Sequence, residues 1–164
     1  MNYVEEILSN DWIIYFLRRA ETHAQMSKDP STKCGCVLVD PATKFCVSEG
    51  YNGFPASIED KPEFYDDRPT KYKLVIHAEM NAIINSPVST KGTHAFVTGP
   101  CCDNCAKHVV AAGITHVYWV EPSEDFMSRW AEAKKIAMEI FNLGGVEVTE
   151  VSRTNYESYH IRRS

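Results

Sequence analysis

Residues 93–120 read THAFVTGPCCDNCAKHVVAAGITHVYWV. Each end carries a short run rich in β-branched and aromatic residues, AFV and HVYWV, of strand length. Between them, from about Cys102 to Ala112, apolar residues recur at helical spacing, and Gly113 stands where a helix C-cap belongs. A strand, a helix and a second strand in succession predict a crossover between parallel strands, the repeating unit of an α/β sheet.

The pattern continues on both sides. Upstream, KCGCVLVD (33–40) and KFCVSEGYN (44–52) are strand-like runs joined by Pro41, Ala42 and Thr43, which predicts an antiparallel hairpin at the front of the sheet. Ahead of it, residues 11–26 place Ile13, Phe16, Leu17, Ala20 and Ala24 at helical spacing, with Asn10 or Asp11 as cap. A further helix is expected from about His77 to Asn85 and another from about Met127 to Leu143, the latter with Gly144 as C-cap, followed by a short strand VEVTE (146–150). Residues 53–70, rich in Pro, Asp and Glu, follow neither period and predict a long loop, a kind of segment that often carries function. The tail, 152–164, is polar and aromatic with weak helical character. The expectation is one α/β domain over residues 1–164, a three-layer α/β/α sandwich around a five-stranded mixed sheet.

Charge narrows the function. Seventeen Lys and Arg stand against 22 Asp and Glu, a net charge of -5, with no basic stripe. Tight binding to polynucleotide, which rests on neutralising many phosphates, is disfavoured; a small substrate with one phosphate is not. The opening MNYVEEILSN lacks the basic and apolar segments of a secretion signal, and no apolar run approaches the length of a membrane span. A cytoplasmic protein is expected, and in that reducing compartment six cysteines are read as metal or core chemistry rather than disulfides.

Cys102 and Cys105, three apart at the first turn of a helix, put both sulfurs on one side, where the unpaired N–H groups of the helix start favour thiolates. His77, at the start of another helix, offers a third ligand, and three protein ligands leave the open position of a catalytic zinc. Glu79 lies about 200° around a helix from His77, so the two converge only if His77 sits at the entering turn. If they converge, a carboxylate that is not a ligand stands beside the metal, placed to move protons. Alternatives stay open: Cys101 as ligand in place of Cys102, or Cys34 and Cys36, with Cys46 on the same strand face, completing a four-cysteine structural zinc. Small buried hydrophobes are the better reading of those three. His94 and His23 are candidates for a second metal site, whereas His108, His116 and His160 are isolated.

A lone His-x-Glu is usually a capping or surface pair, and a lone Cys-x-x-Cys has several uses. In this order, each opening a helix after a strand, the two match the signature of zinc nucleobase deaminases. The chain resembles the zinc-dependent cytidine and deoxycytidylate deaminase superfamily, and is most similar to its deoxycytidylate (dCMP) deaminases. SKDPSTKCGCVLVD (27–40), GYNGFP (50–55) and CAKHVVAAGI (105–114) resemble further segments of that family, so the similarity covers most of the chain.

The resemblance implies a cytidine deaminase-like fold, Zn2+ held by His77, Cys102 and Cys105, and Glu79 as catalytic proton shuttle. A metal-activated hydroxide would attack C4 of cytosine, with protons passed to N3 and to the departing amine. It implies substrate contacts from Asn52 and the backbone of Ala78, and places Ser27, Lys28 and Thr32 near the nucleotide phosphate. Tyr72 or Phe54 could stack on the base, although such aromatics are more often packing residues. Gly50, Tyr51, Asn52 and Gly53 form the candidate effector loop for dCTP or dTTP, with Mg2+ accompanying a triphosphate, and a homohexamer is the implied assembly. Two departures stand out. Cys101 takes the position of the family's proline before the first ligand cysteine, and ASIEDKPEFYDDRP (56–69) replaces the residues that often accompany nucleotide regulation. Competing readings are a deaminase of dCTP or of a modified dCMP, a tRNA adenosine deaminase, and a non-catalytic zinc-stabilised binding module.

Overall fold

The computed structural model describes residues 8–161, so most of the N-terminal segment read for a signal, and the last three residues of the tail, lie outside the described residues. The order along the chain is α1 (Asn10–Ala24), β1 (Gly35–Asp40), β2 (Phe45–Tyr51), α2 (Pro62–Asp66), α3 (Arg68–Leu74), α4 (Ala78–Ile84), β3 (His94–Val97), α5 (Asp103–Ala111), β4 (His116–Val120), α6 (Glu124–Gly144), β5 (Glu147–Val151) and α7 (Arg153–Ser158). The five strands form one sheet in the order β2-β1-β3-β4-β5. β1 runs antiparallel to both β2 and β3, while β3, β4 and β5 are parallel, as the front hairpin and the crossover helices require.

Alternation along the central strands sorts their side chains into two layers. Cys36 and Leu38 of β1, Ala95 and Val97 of β3, and Val117 and Trp119 of β4 face α4, α5 and α6, where Ala82, Val109, Ala137 and Phe141 meet them. Val37, Val39, Phe96, Tyr118 and Val120 face the other way, onto Ile13, Phe16 and Leu17 of α1 and Tyr156 of α7. Both faces of β1 and β3 are therefore buried. Each fully buried large apolar side chain here contributes about 1.5–3 kcal/mol. Two glycines let helices come close to the sheet. A Cβ at Gly35 would lie 2.0 Å from the Ala20 carbonyl of α1, and one at Gly50 would lie 2.3 Å from the Ala78 carbonyl of α4.

Several expectations are corrected. Residues 53–70 hold no unbroken loop, for α2 and the start of α3 fall within them. Pro62 supplies the fixed φ of a first turn, and the Asp67 carboxylate caps α3 by accepting from the Thr70 N–H at 3.2 Å. α6 begins at Glu124, three residues before the expected Met127, because the Ser123 hydroxyl accepts from the Phe126 N–H at 3.2 Å. Its left-handed cap is Gly145, at φ 69°, rather than Gly144. Cys46 does not share a face with Cys34 and Cys36. The β1–β2 register pairs Leu38 with Ser48 but Val39 with Cys46, so a bulge at Val47 resets the alternation and turns Cys46 to the α1 side.

Candidate active site

The parallel β3 ends at Val97, and residues 98–102 carry the chain from its carboxyl end into α5, the side of a parallel sheet where crevices form. Cys102 is the N-cap of α5, and its sulfur accepts from the Cys105 N–H at 3.4 Å. His77 is the N-cap of α4, with extended backbone at φ -71° and ψ 158°. Being outside the helix, His77 escapes the 200° separation that regular spacing would impose on it and Glu79. An isolated bridge between Gly53 and Ile76 ties this entry to the end of the hairpin, with N···O distances of 3.1 and 2.8 Å.

His77 Nδ1 lies 3.4 Å from the sulfurs of both Cys102 and Cys105. The three ligand atoms lie within 4.8 Å of one another, and among the described residues no other group of three such side chains does. With metal–ligand lengths near 2.1 and 2.3 Å, the N–S edge of a tetrahedron is about 3.6 Å, so this donor set fits zinc. Electrostatics point the same way. Hydrogen bonding to Cys105 and to His77 pulls the Cys102 thiol down to about 4, and the Cys102 sulfur in turn raises the His77 imidazole to about 9. A thiolate at that point is what a metal requires. Glu79 is 5% exposed at the second position of α4, and burial raises its carboxyl above the ordinary value. Cys101 is buried, outside the three-residue group, and both burial and the Glu79 charge push its thiol up.

A pocket opens over this floor, lined by His77, Glu79, Cys101 and Cys102 below and by residues of α3 and α6 above, among them Arg68, Tyr72, Phe126, Arg129 and Trp130. Its side wall is a buried polar knot. Lys71 Nζ sits 2.7 Å from Asp29 Oδ2 and donates to Ser31 Oγ at 2.7 Å, while Asp29 Oδ1 accepts from the Ser31 and Thr32 N–H groups at 2.9 and 3.2 Å. Burial alone would raise the Asp29 carboxyl, but Lys71 and these donors hold it below its ordinary value.

The other residues singled out in the sequence fall as follows. Asn52 lines the pocket, its amide accepting from the Cys34 N–H and donating to the Thr32 carbonyl, both at 2.8 Å. Thr32 lines the pocket too, as does Tyr72. Ala78 is fully buried beneath Gly50. Ser27 is 2% exposed, and its hydroxyl donates to the Asn52 carbonyl at 2.7 Å. Lys28 points away, 2.9 Å from Asp60. Gly50, Tyr51 and Gly53 lie outside the lining, and Phe54 stacks on Tyr65 at 4.3 Å instead of facing the pocket. His23 approaches Glu49, whereas His94 packs on His116 and Tyr118, so those two histidines do not meet. Sequence reasoning passed over Arg68, Lys71 and Arg129, and read Trp130 as a residue of an assembly surface, whereas it lines the pocket. No local spacing marks them as one site, because they come from two helices, α3 and α6, brought to one pocket only by the fold.

Similarity to known proteins agrees with this geometry. Residues 10–121 match the family described as "Cytidine and deoxycytidylate deaminase zinc-binding region". An "Uncharacterized deaminase in luxG 3'region" of Aliivibrio fischeri is 39% identical over 84% of this chain and 92% of its own length. The deoxycytidylate deaminase of Mus musculus is 35% identical over 83% of this chain and 77% of its own. In fold, the dCMP deaminase of cyanophage S-TIM5, solved in complex with dCMP and dUMP, superposes with a TM-score of 0.72 at 23% identity, covering 88% of this chain and all of that one. No described helix is long and apolar enough to cross a membrane. The chain belongs to the zinc-binding cytidine and deoxycytidylate deaminase family.

Proposed function

We propose that the protein hydrolyses the 4-amino group of deoxycytidylate, giving dUMP and ammonia. The observation that carries this reading is the buried Glu79 carboxylate beside the His77, Cys102 and Cys105 cluster, at the floor of a pocket whose upper wall bears cationic side chains. His77, Cys102 and Cys105 hold zinc, which when bound supplies Lewis-acid activation of water at neutral pH. Glu79 does the proton work: its carboxylate takes a proton from the attacking water, delivers it to N3 of the cytosine ring, and then transfers the second to the departing amine. Pre-organised donors in a dry site make that exchange effective, and the burial of Glu79 keeps bulk water from competing. Asn52, tied to Cys34 and Thr32, fixes the pocket rim that orients the nucleotide.

Deoxycytidylate is chosen over other cytosine compounds because relatives such as the mouse enzyme are named for it, and because a cationic wall suits a phosphate. Regulation by dCTP or dTTP through residues 50–53, with Mg2+ accompanying the triphosphate, and assembly as a cytoplasmic homohexamer complete the reading on the strength of family resemblance. The test is ammonia release from dCMP, cytidine, dCTP and adenosine by zinc-loaded protein, with and without dCTP or dTTP. The expected result is fastest turnover of dCMP. Preference for adenosine, or no turnover of any of the four with zinc bound, would contradict the proposal.

A further inference from the structure

We propose that Arg68 and Arg129, facing the pocket from α3 and α6, receive the 5′-phosphate of the bound nucleotide, and that Ser27 and Lys28 do not. The inference rests on the function proposed above and names the residues that would make that site selective for a nucleoside monophosphate.

Four cationic side chains line the pocket: Arg68, Lys71, Arg129 and Lys134. Two are already held by partners that make further contacts. Lys71 is buried against Asp29 and Ser31. Lys134 lies 2.6 Å from Glu150, whose carboxylate also accepts from the Trp119 indole at 2.7 Å. The other two have charge to offer. Arg68 forms no ion pair with any described residue. Arg129 pairs at 2.7 Å with Asp125 one helical turn away, an exposed contact that water screens and an incoming dianion can replace. A phosphate monoester carries a charge near -2 at neutral pH, and planar guanidinium groups match its oxygens in pairs. By contrast, the Ser27 hydroxyl is spent on the Asn52 carbonyl, and Lys28 lies outside the lining against Asp60. Arg68 and Arg129 thus supply the positive charge that remains available to a phosphate in the pocket that Glu79 also lines.

The test uses zinc-loaded full-length protein and two readouts. The first is KM and kcat for dCMP in wild type, Arg68→Ala, Arg129→Ala and the double variant. The second is calorimetric affinity for dUMP and for deoxyuridine, which needs no turnover. Each single variant should raise KM for dCMP about tenfold, and the double variant should weaken dUMP until it binds no better than deoxyuridine, with thermal melting unchanged. A double variant that keeps the wild-type KM and dUMP affinity overturns the inference while leaving the deamination reading intact. Wild type that binds dUMP through these arginines but does not deaminate dCMP overturns the deamination reading and keeps the phosphate site. Wild type that binds dUMP and deoxyuridine equally overturns the phosphate site outright.

Discussion

The pocket floor is assembled from residues 77–79 and 101–105, at the first turns of two helices, whereas the upper wall draws Arg68 and Tyr72 from α3 and Phe126, Arg129 and Trp130 from α6. On the floor, two short segments each carry their residues at local spacing on a helix N-terminus, and the fold has only to bring His77 to Cys102 and Cys105. On the wall, residues some sixty positions apart line one pocket, because α6 packs beside α5 and α3 is tied by Lys71 to Asp29. On the proposed reading, reaction type and substrate choice therefore reside in different parts of the molecule.

The largest effect expected comes from breaking the floor. Cys102→Ala removes both a proposed metal ligand and the cap of α5, and should leave protein without stoichiometric zinc and with ammonia release at background. Full zinc content with turnover in that variant would detach the chemistry from this cluster. Next comes the tether between floor and wall. Asp29→Ala strands the Lys71 ammonium, whose side chain is 10% exposed, and should cost about 3–5 kcal/mol in urea unfolding. A smaller cost in the Asp29→Leu, Lys71→Met double variant would identify the penalty as that of the unpaired charge.

Acid sharpens the same contrast. Because Lys71 and the backbone donors hold Asp29 below its ordinary value, its contribution is fully present above about pH 4, the value in unfolded chain, and is lost as pH falls through the lower native value. The unfolding free energy from urea titrations between pH 5 and 2 should therefore fall less steeply in Asp29→Asn, by at most about 1.4 kcal/mol per pH unit. An unchanged slope would mean Asp29 gains no preference for the charged form. The smallest effect is expected at Lys28, on the surface outside the pocket. Lys28→Ala should leave KM for dCMP where it was, and a clear rise would move the phosphate site to the turn after α1.

What the sequence made legible follows the same division. The short apolar runs of β1, β3 and β4, rich in β-branched and aromatic residues, and the capping glycine after α5 disclosed the mixed sheet and its crossovers, since both signals are local. His77, Glu79, Cys102 and Cys105 stood out because metal chemistry needs particular residue types at particular spacing. The side of the sheet to which Cys46 turns was hidden by one extra residue at Val47, a bulge with no composition of its own. α2 and α3 carried their cues in Pro62 and Asp67, but five- and seven-residue helices are too short to show a period. The cationic wall had no cue at all, because Arg68 and Arg129 read as ordinary surface charges until the fold brings them over one cleft.

The most direct test of the central claim, that Glu79 moves protons without holding the metal, is to measure zinc content and dCMP turnover on the same Glu79→Gln preparation. The account predicts wild-type zinc stoichiometry with turnover reduced about 10²–10⁴-fold. Loss of zinc in a folded variant, or turnover close to wild type with zinc retained, would contradict it.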